Sequence, residues 1–201
     1  MWEFWRVIAT ARWFFSSMTP GFIAAGILFF ILLPFRRRRL VRRGLAGGPL
    51  RECGMFLLWV FAGGMAAITL VPEPGWLTYG LAKGIWLPYF DTDNLGRRLN
   101  LIPFAMRDNL FNIAGNIVML VPFGFLAALL WRKFDWKRAL MLGVGITCCV
   151  ECWQIFLGRY FDIDDIILNT LGVFCGYLLW ALLDKLAPQF TKKFHVNEEA
   201  A

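Results

Sequence analysis

Residues 110–131 read LFNIAGNIVMLVPFGFLAALLW, and Arg132 and Lys133 follow at once. No charged side chain interrupts this stretch, and Asn112 and Asn116 are its only amides. A helix rising about 1.5 Å per residue needs about twenty apolar residues to cross the roughly 30 Å hydrocarbon core of a bilayer. A helix on the surface of a soluble domain would instead carry polar residues along one whole face. The stretch therefore predicts a membrane span closed by a basic pair.

The same reading, carried outward, predicts five spans. The first runs from about Met18 to Phe35 and stops at Arg36, Arg37, Arg38 and Arg39. The second runs from about Cys53 to Val71, ended by Pro72 and Pro74. The third is the stretch just quoted. The fourth runs from Ala139 to about Leu157, where Gly158 breaks it, and the fifth from about Asp165 to Leu183, before Asp184, Lys185 and Pro188. The fold class is thus all-α: a multi-pass transmembrane helical bundle of about five spans, with an interfacial or re-entrant outer segment. Composition agrees. Hydrophobic residues make up 59% of the chain and mean hydropathy is +0.57, above the roughly 45–50% apolar content of soluble domains.

The formal net charge is +7 and the pI about 9.5. The basic residues flank apolar runs and form no separate basic domain, so no nucleic-acid partner is expected; the bilayer is. The residues before the first span, Trp2, Phe4, Trp5, Trp13 and Phe14 with Arg6 and Arg12, read as an interfacial segment. No small-residue cleavage site follows the first apolar run, which argues against a removed leader. Four regions result. Residues 1–71 hold the interfacial segment and two spans, 72–109 an outer aromatic-rich segment, 110–185 a three-helix core, and 186–201 a polar tail.

Lysines and arginines in short loops set orientation. Fourteen fall on one side, in the loops from Arg36 to Arg51 and from Arg132 to Arg138 and in the segment from Lys185 onward; seven fall on the other. The heavier side is expected to be cytoplasmic, which places the N-terminus outside and the C-terminus inside. Residues 72–109 then face outward. They carry Trp76, Tyr79, Trp86, Tyr89 and Phe90, and then Leu101-Ile102-Pro103-Phe104, groups that belong at the headgroup level rather than in water. A lid or re-entrant segment on the outer leaflet is expected.

Five cysteines, Cys53, Cys148, Cys149, Cys152 and Cys175, lie in apolar runs. Their odd number and setting argue against a disulfide framework. Cys149 and Cys152 form a C-x-x-C, read here as small packing residues. His195, the one histidine, lies in the polar tail, so no histidine-based metal site is expected.

Polar groups in hydrocarbon are costly, about 2.5–3.5 kcal/mol for a carboxylate at a helix centre, and each is a functional candidate. On the third span Asn109, Asn112 and Asn116 share a face; on the fourth Gly143, Thr147, Glu151 and Gln154; on the fifth Asp165, Asn169, Gly172 and Gly176. Asn116 lies about 10 Å below Asn109, Glu151 about 10 Å below Gly158 and Asn169 about 6 Å below Asp165. Asp162, Asp164 and Asp165, with Arg159, Arg97, Arg98 and Arg107, gather above them. A polar pocket opening from within the outer leaflet is expected. The bland alternative has amides pairing helices and Asp164 and Asp165 capping the fifth helix. It leaves Glu151, and the agreement in depth, without a reason.

At these residues the chain resembles the VanZ-like family. The matching stretches are Arg97 with Asn100-Leu101-Ile102-Pro103-Phe104; Asn112, Gly115 and Asn116 with Pro122-Phe123-Gly124; Glu151 with Gln154; and Asp162, Asp164, Asp165, Asn169, Gly172 and Gly176. They cover about Arg97 to Leu183. Cys148 and Cys149 depart from the pattern, where small or hydroxylated residues are expected, so the C-x-x-C has no family support. The resemblance implies a bacterial plasma-membrane protein. The family's namesake is associated with low-level resistance to teicoplanin, a lipid-tailed glycopeptide.

Three functions compete. One is binding of a lipid, a lipid-linked cell-wall precursor or a lipoglycopeptide at the outer leaflet, with Arg97, Asn100, Asn112, Asn116, Gln154, Asp162, Asp164 and Asn169 as binding residues. The second is a membrane enzyme acting on such a lipid, with Glu151 and Asp165 as acid–base candidates, or with the aspartates holding a divalent cation. The third is a scaffold for other membrane proteins. No cofactor is specified by any motif.

Overall fold

The computed structural model describes residues 2–71, 99–104, 110–157 and 159–198. Among the described residues, five helices are long and apolar enough to cross a membrane, as expected. They are α1 (Trp2–Val41), α2 (Pro49–Thr69), α3 (Leu110–Leu130), α4 (Trp136–Phe156) and α5 (Ile163–Leu186). Two short strand pairs accompany them: β1 (Leu45–Gly47) with β4 (Val196–Glu198), antiparallel, and β2 (Leu99–Asn100) with β3 (Phe161–Asp162), parallel. The chain divides into two compact units, residues 1–68 with 186–201, and residues 69–185.

In the first unit α1 and α2 lie antiparallel. They approach at Gly21 and Gly63, where a Cβ on either would collide with the backbone of the other. Such close backbone contact is the small-residue packing of membrane helices. Phe29 of α1 sits edge-on to Phe56 and Trp59 of α2. Gly44 takes a left-handed φ of 63° in the turn after α1, a conformation that strains any residue with a Cβ. The segment after α5 does not trail away as a polar tail. Pro188–Thr191 makes a helical turn, Lys192–Phe194 a 3-10 turn, and β4 pairs with β1 in the register Leu45↔Glu198 and Gly47↔Val196. Arg51 anchors it, donating from Nη1 to the Phe194 carbonyl at 3.1 Å.

α1 differs from the expected short span preceded by a separate interfacial segment: one helix runs from Trp2 to Val41, through Pro20 and Pro34. The arginines that end a hydrocarbon span do not end a helix, because arginine is a good helix former. Trp5 and Trp13 keep exposed rings on this extension.

The second unit holds α3, α4 and α5 with the β2–β3 pair. α4 starts three residues before the expected Ala139 because Asp135 caps it, accepting the Arg138 amide at 2.9 Å. α3 and α5 run side by side in the same direction. A Cβ on Gly172 would strike the Ile117 carbonyl, one on Gly176 the Val121 carbonyl, and one on Gly124 the Val173 carbonyl. α4 runs against them, with Gly143 seated on Thr170 of α5. Val118, Met141 and Leu182 stay exposed, which suits faces solvated by lipid.

Candidate functional site

At one end of the second unit meet the start of α3, the end of α4, the start of α5 and the β2–β3 pair. The sequence places three aspartates here, and each fixes a different segment. Asp162, just before α5, accepts the Asp164 amide at 2.9 Å and so caps the helix. The same Oδ1 accepts from Asn100 Nδ2 at 3.0 Å, which pins β2 beside β3. Asp164 is 2% exposed and accepts the Phe104 amide at 2.8 Å. Asp165 accepts from Asn116 Nδ2 of α3. Acidic groups in a first helical turn also meet the positive end of its dipole.

Glu151 reaches the cluster from α4. It is 1% exposed, and Oε2 accepts the Asp162 amide at 3.0 Å. Asp162 therefore has its amide held by one carboxylate while its own carboxylate holds two donors. Gly143, Thr147 and Glu151 are buried together on one face of α4, as their spacing predicts. Thr147 is not part of the network; its hydroxyl donates back to the Gly143 carbonyl at 2.9 Å. Gln154 is half-buried, and its contribution is a backbone carbonyl that accepts the Leu157 and Arg159 amides and closes the helix. Asn169 is buried one turn below Asp165, and its Oδ1 has no hydrogen-bond partner among the described residues.

Asn100, Asn116, Glu151, Asp162, Asp164 and Asp165 are thus brought together, and Asn169 lies beneath them. Arg97, Arg98, Arg107 and Asn109 lie outside the described residues, as does the side chain of Asn112. Among the described residues no group of three acidic, histidine or cysteine side chains could hold a metal ion. The aspartate cation site entertained above is not formed there, because each carboxylate turns toward a different donor. The cysteines are free.

Sequence reasoning missed one participant, the Phe104 amide. Phe104 has a left-handed φ of 58°, a strain of about 1–2 kcal/mol for a residue with a Cβ. The bond to Asp164 holds it. Leu101, Ile102 and Phe104 are exposed at 59%, 69% and 65%, so the strained turn presents an apolar hook beside the polar cluster.

The VanZ/LLP1 family model matches residues 58–184, more than half of the chain. The chain belongs to the VanZ/LLP1 family. Among curated proteins it resembles Protein VanZ of Enterococcus faecium, 32% identical over 91 residues, or 44% of this chain and 56% of that protein. The match thus spans little more than half of the relative's length. No solved structure matches. The family region contains the whole α3–α5 cluster and leaves out α1 and the segment that returns to β1.

Proposed function

We propose that this VanZ-family membrane protein binds a lipid-linked component of the bacterial cell envelope, or a lipoglycopeptide such as teicoplanin, at the outer leaflet of the plasma membrane. In this reading the N-terminus lies outside, the C-terminus is cytoplasmic, and the acidic end of α5 faces out, following the asymmetry of basic residues.

One observation carries the reading: half-buried polar pairs lie next to an exposed apolar hook. Asn116 with Asp165, and Asn100 with Asp162, offer amide and carboxylate groups. Leu101, Ile102 and Phe104 stand beside them in sequence and remain exposed. A ligand with a polar head and an apolar tail needs such a pairing of surfaces. The acids beneath act as supports, which favours recognition over acid–base chemistry: Glu151 and Asp164 each accept an internal backbone amide.

Native mass spectrometry of the purified chain tests this. The wild type is expected to retain a lipid-linked species that Asn116→Ala and Asp165→Ala lose. Equal retention by all three proteins would overturn the proposal.

A further inference from the structure

The arginine run that closes the first apolar stretch takes no part in the α3–α5 cluster, and the first unit folds so as to enlarge its positive charge. Arg37, Arg38, Arg39, Arg42 and Arg43 are all exposed around the end of α1. Lys192 and Lys193 are exposed too, on the 3-10 turn after α5. The sequence keeps these two groups far apart. The β1–β4 pair and the bond from Arg51 Nη1 to the Phe194 carbonyl, at 3.1 Å, bring them to the same α1–α2 connection. Of the acids here, Glu52 is buried and already paired with Arg36 at 3.1 Å, and Glu198 of β4 stands opposite Leu45. The seven exposed cations, Arg37, Arg38, Arg39, Arg42, Arg43, Lys192 and Lys193, outnumber these two acids and leave the face with excess positive charge.

We propose that this face, with five arginines and two lysines, docks the phosphate headgroups of anionic phospholipids in the adjoining leaflet. The apolar run of α1 ends at Phe35, so the cations begin where a spanning helix leaves hydrocarbon, the depth of the phosphates. Phe35 itself is 62% exposed and supplies apolar surface for an acyl chain beside them. Guanidinium groups suit phosphate geometry, since two parallel N–H donors meet two oxygens. Each basic residue near an anionic leaflet contributes about fivefold in affinity. The clasp has a consequence: headgroups bridging the lysines and the arginines would hold β4 on β1.

The test titrates the full-length chain in neutral detergent with phosphatidylglycerol, phosphatidylcholine and inorganic phosphate, read as bound adducts by native mass spectrometry. Phosphatidylglycerol is expected to bind well ahead of phosphatidylcholine. Lys192→Gln/Lys193→Gln, outside the spans, is expected to weaken it about twenty-five-fold with an unchanged melting temperature. Arg37→Gln/Arg38→Gln is expected to weaken it alike. Equal binding of the two lipids, or undiminished phosphatidylglycerol binding in both double variants, overturns the proposal. Displacement of the lipid by an equal concentration of inorganic phosphate also overturns it, because the face would then be a free-anion site.

Discussion

In the first unit α1 and α2 touch through Gly21 and Gly63; in the second, α3 and α5 touch through Gly124, Gly172 and Gly176. The packing device is shared, but the polar chemistry is not. The first unit pairs full charges at its basic end, Arg36 with Glu52, and clasps a strand with Arg51. The second uses amides and backbone N–H groups against carboxylates: Asn100, Asn116 and the amides of Phe104, Asp162 and Asp164 meet Asp162, Asp164, Asp165 and Glu151. An ion pair closes a helix hairpin. An amide–carboxylate cluster joins several segments and still leaves half-exposed groups for a ligand.

The comparison breaks first at the glycines. Gly172→Leu is expected to abolish the folded second unit, since the side chain must displace the Ile117 backbone; overpacking of this kind costs about 1–3 kcal/mol even where side chains can yield. Gly145→Leu is the control, because nothing lies within 4 Å of a Cβ there. Size-exclusion profiles and melting curves in detergent separate the two, and a monodisperse, wild-type-like Gly172→Leu would refute the packing.

A topology assay gives the sharpest contrast between the two ends of the second unit. In a cysteine-free background, a single cysteine at Arg159 is expected to react with an impermeant thiol reagent in intact cells, while one at Lys133 resists. The reverse labelling would place the carboxylate cluster on the cytoplasmic side.

Within the cluster, Asp165→Ala removes the acceptor of Asn116 and is expected to lower stability by about 1–3 kcal/mol. Asp165→Asn, which keeps an oxygen acceptor, is expected to recover most of it in a melting experiment. Phe104→Gly should act in the opposite direction, raising stability by up to about 1 kcal/mol by relieving a left-handed φ while deleting the exposed ring and weakening ligand retention. A Phe104→Gly protein that retains ligand as well as the wild type would show that the hook is not part of the binding surface.

Much of this architecture was legible in the sequence. The expected third span, Leu110 to Trp131, differs from α3 by one residue, because there the apolar run and the helix both stop at the turn that leads to the Asp135 cap of α4. The α1 boundaries were not legible, since composition marks where lipid ends and not where helical hydrogen bonds end. Helical spacing correctly grouped Gly143, Thr147 and Glu151 but carried Gln154 along, one position beyond what packing uses. The hydrogen bond from the Phe104 amide was invisible because a backbone donor carries no residue signature. The return of residues 196–198 to β1 depends on a partner strand far away in the sequence.

The central claim is that the half-exposed polar pairs at the start of α5 recognise a lipid-tailed ligand. Its most direct test is the susceptibility of a Gram-positive host producing this chain to teicoplanin, which has a lipid tail, and to vancomycin, which has none. The account predicts protection that is greater against teicoplanin and that disappears in Asn116→Ala at unchanged protein level. Equal protection against both drugs, retained in Asn116→Ala, would contradict it.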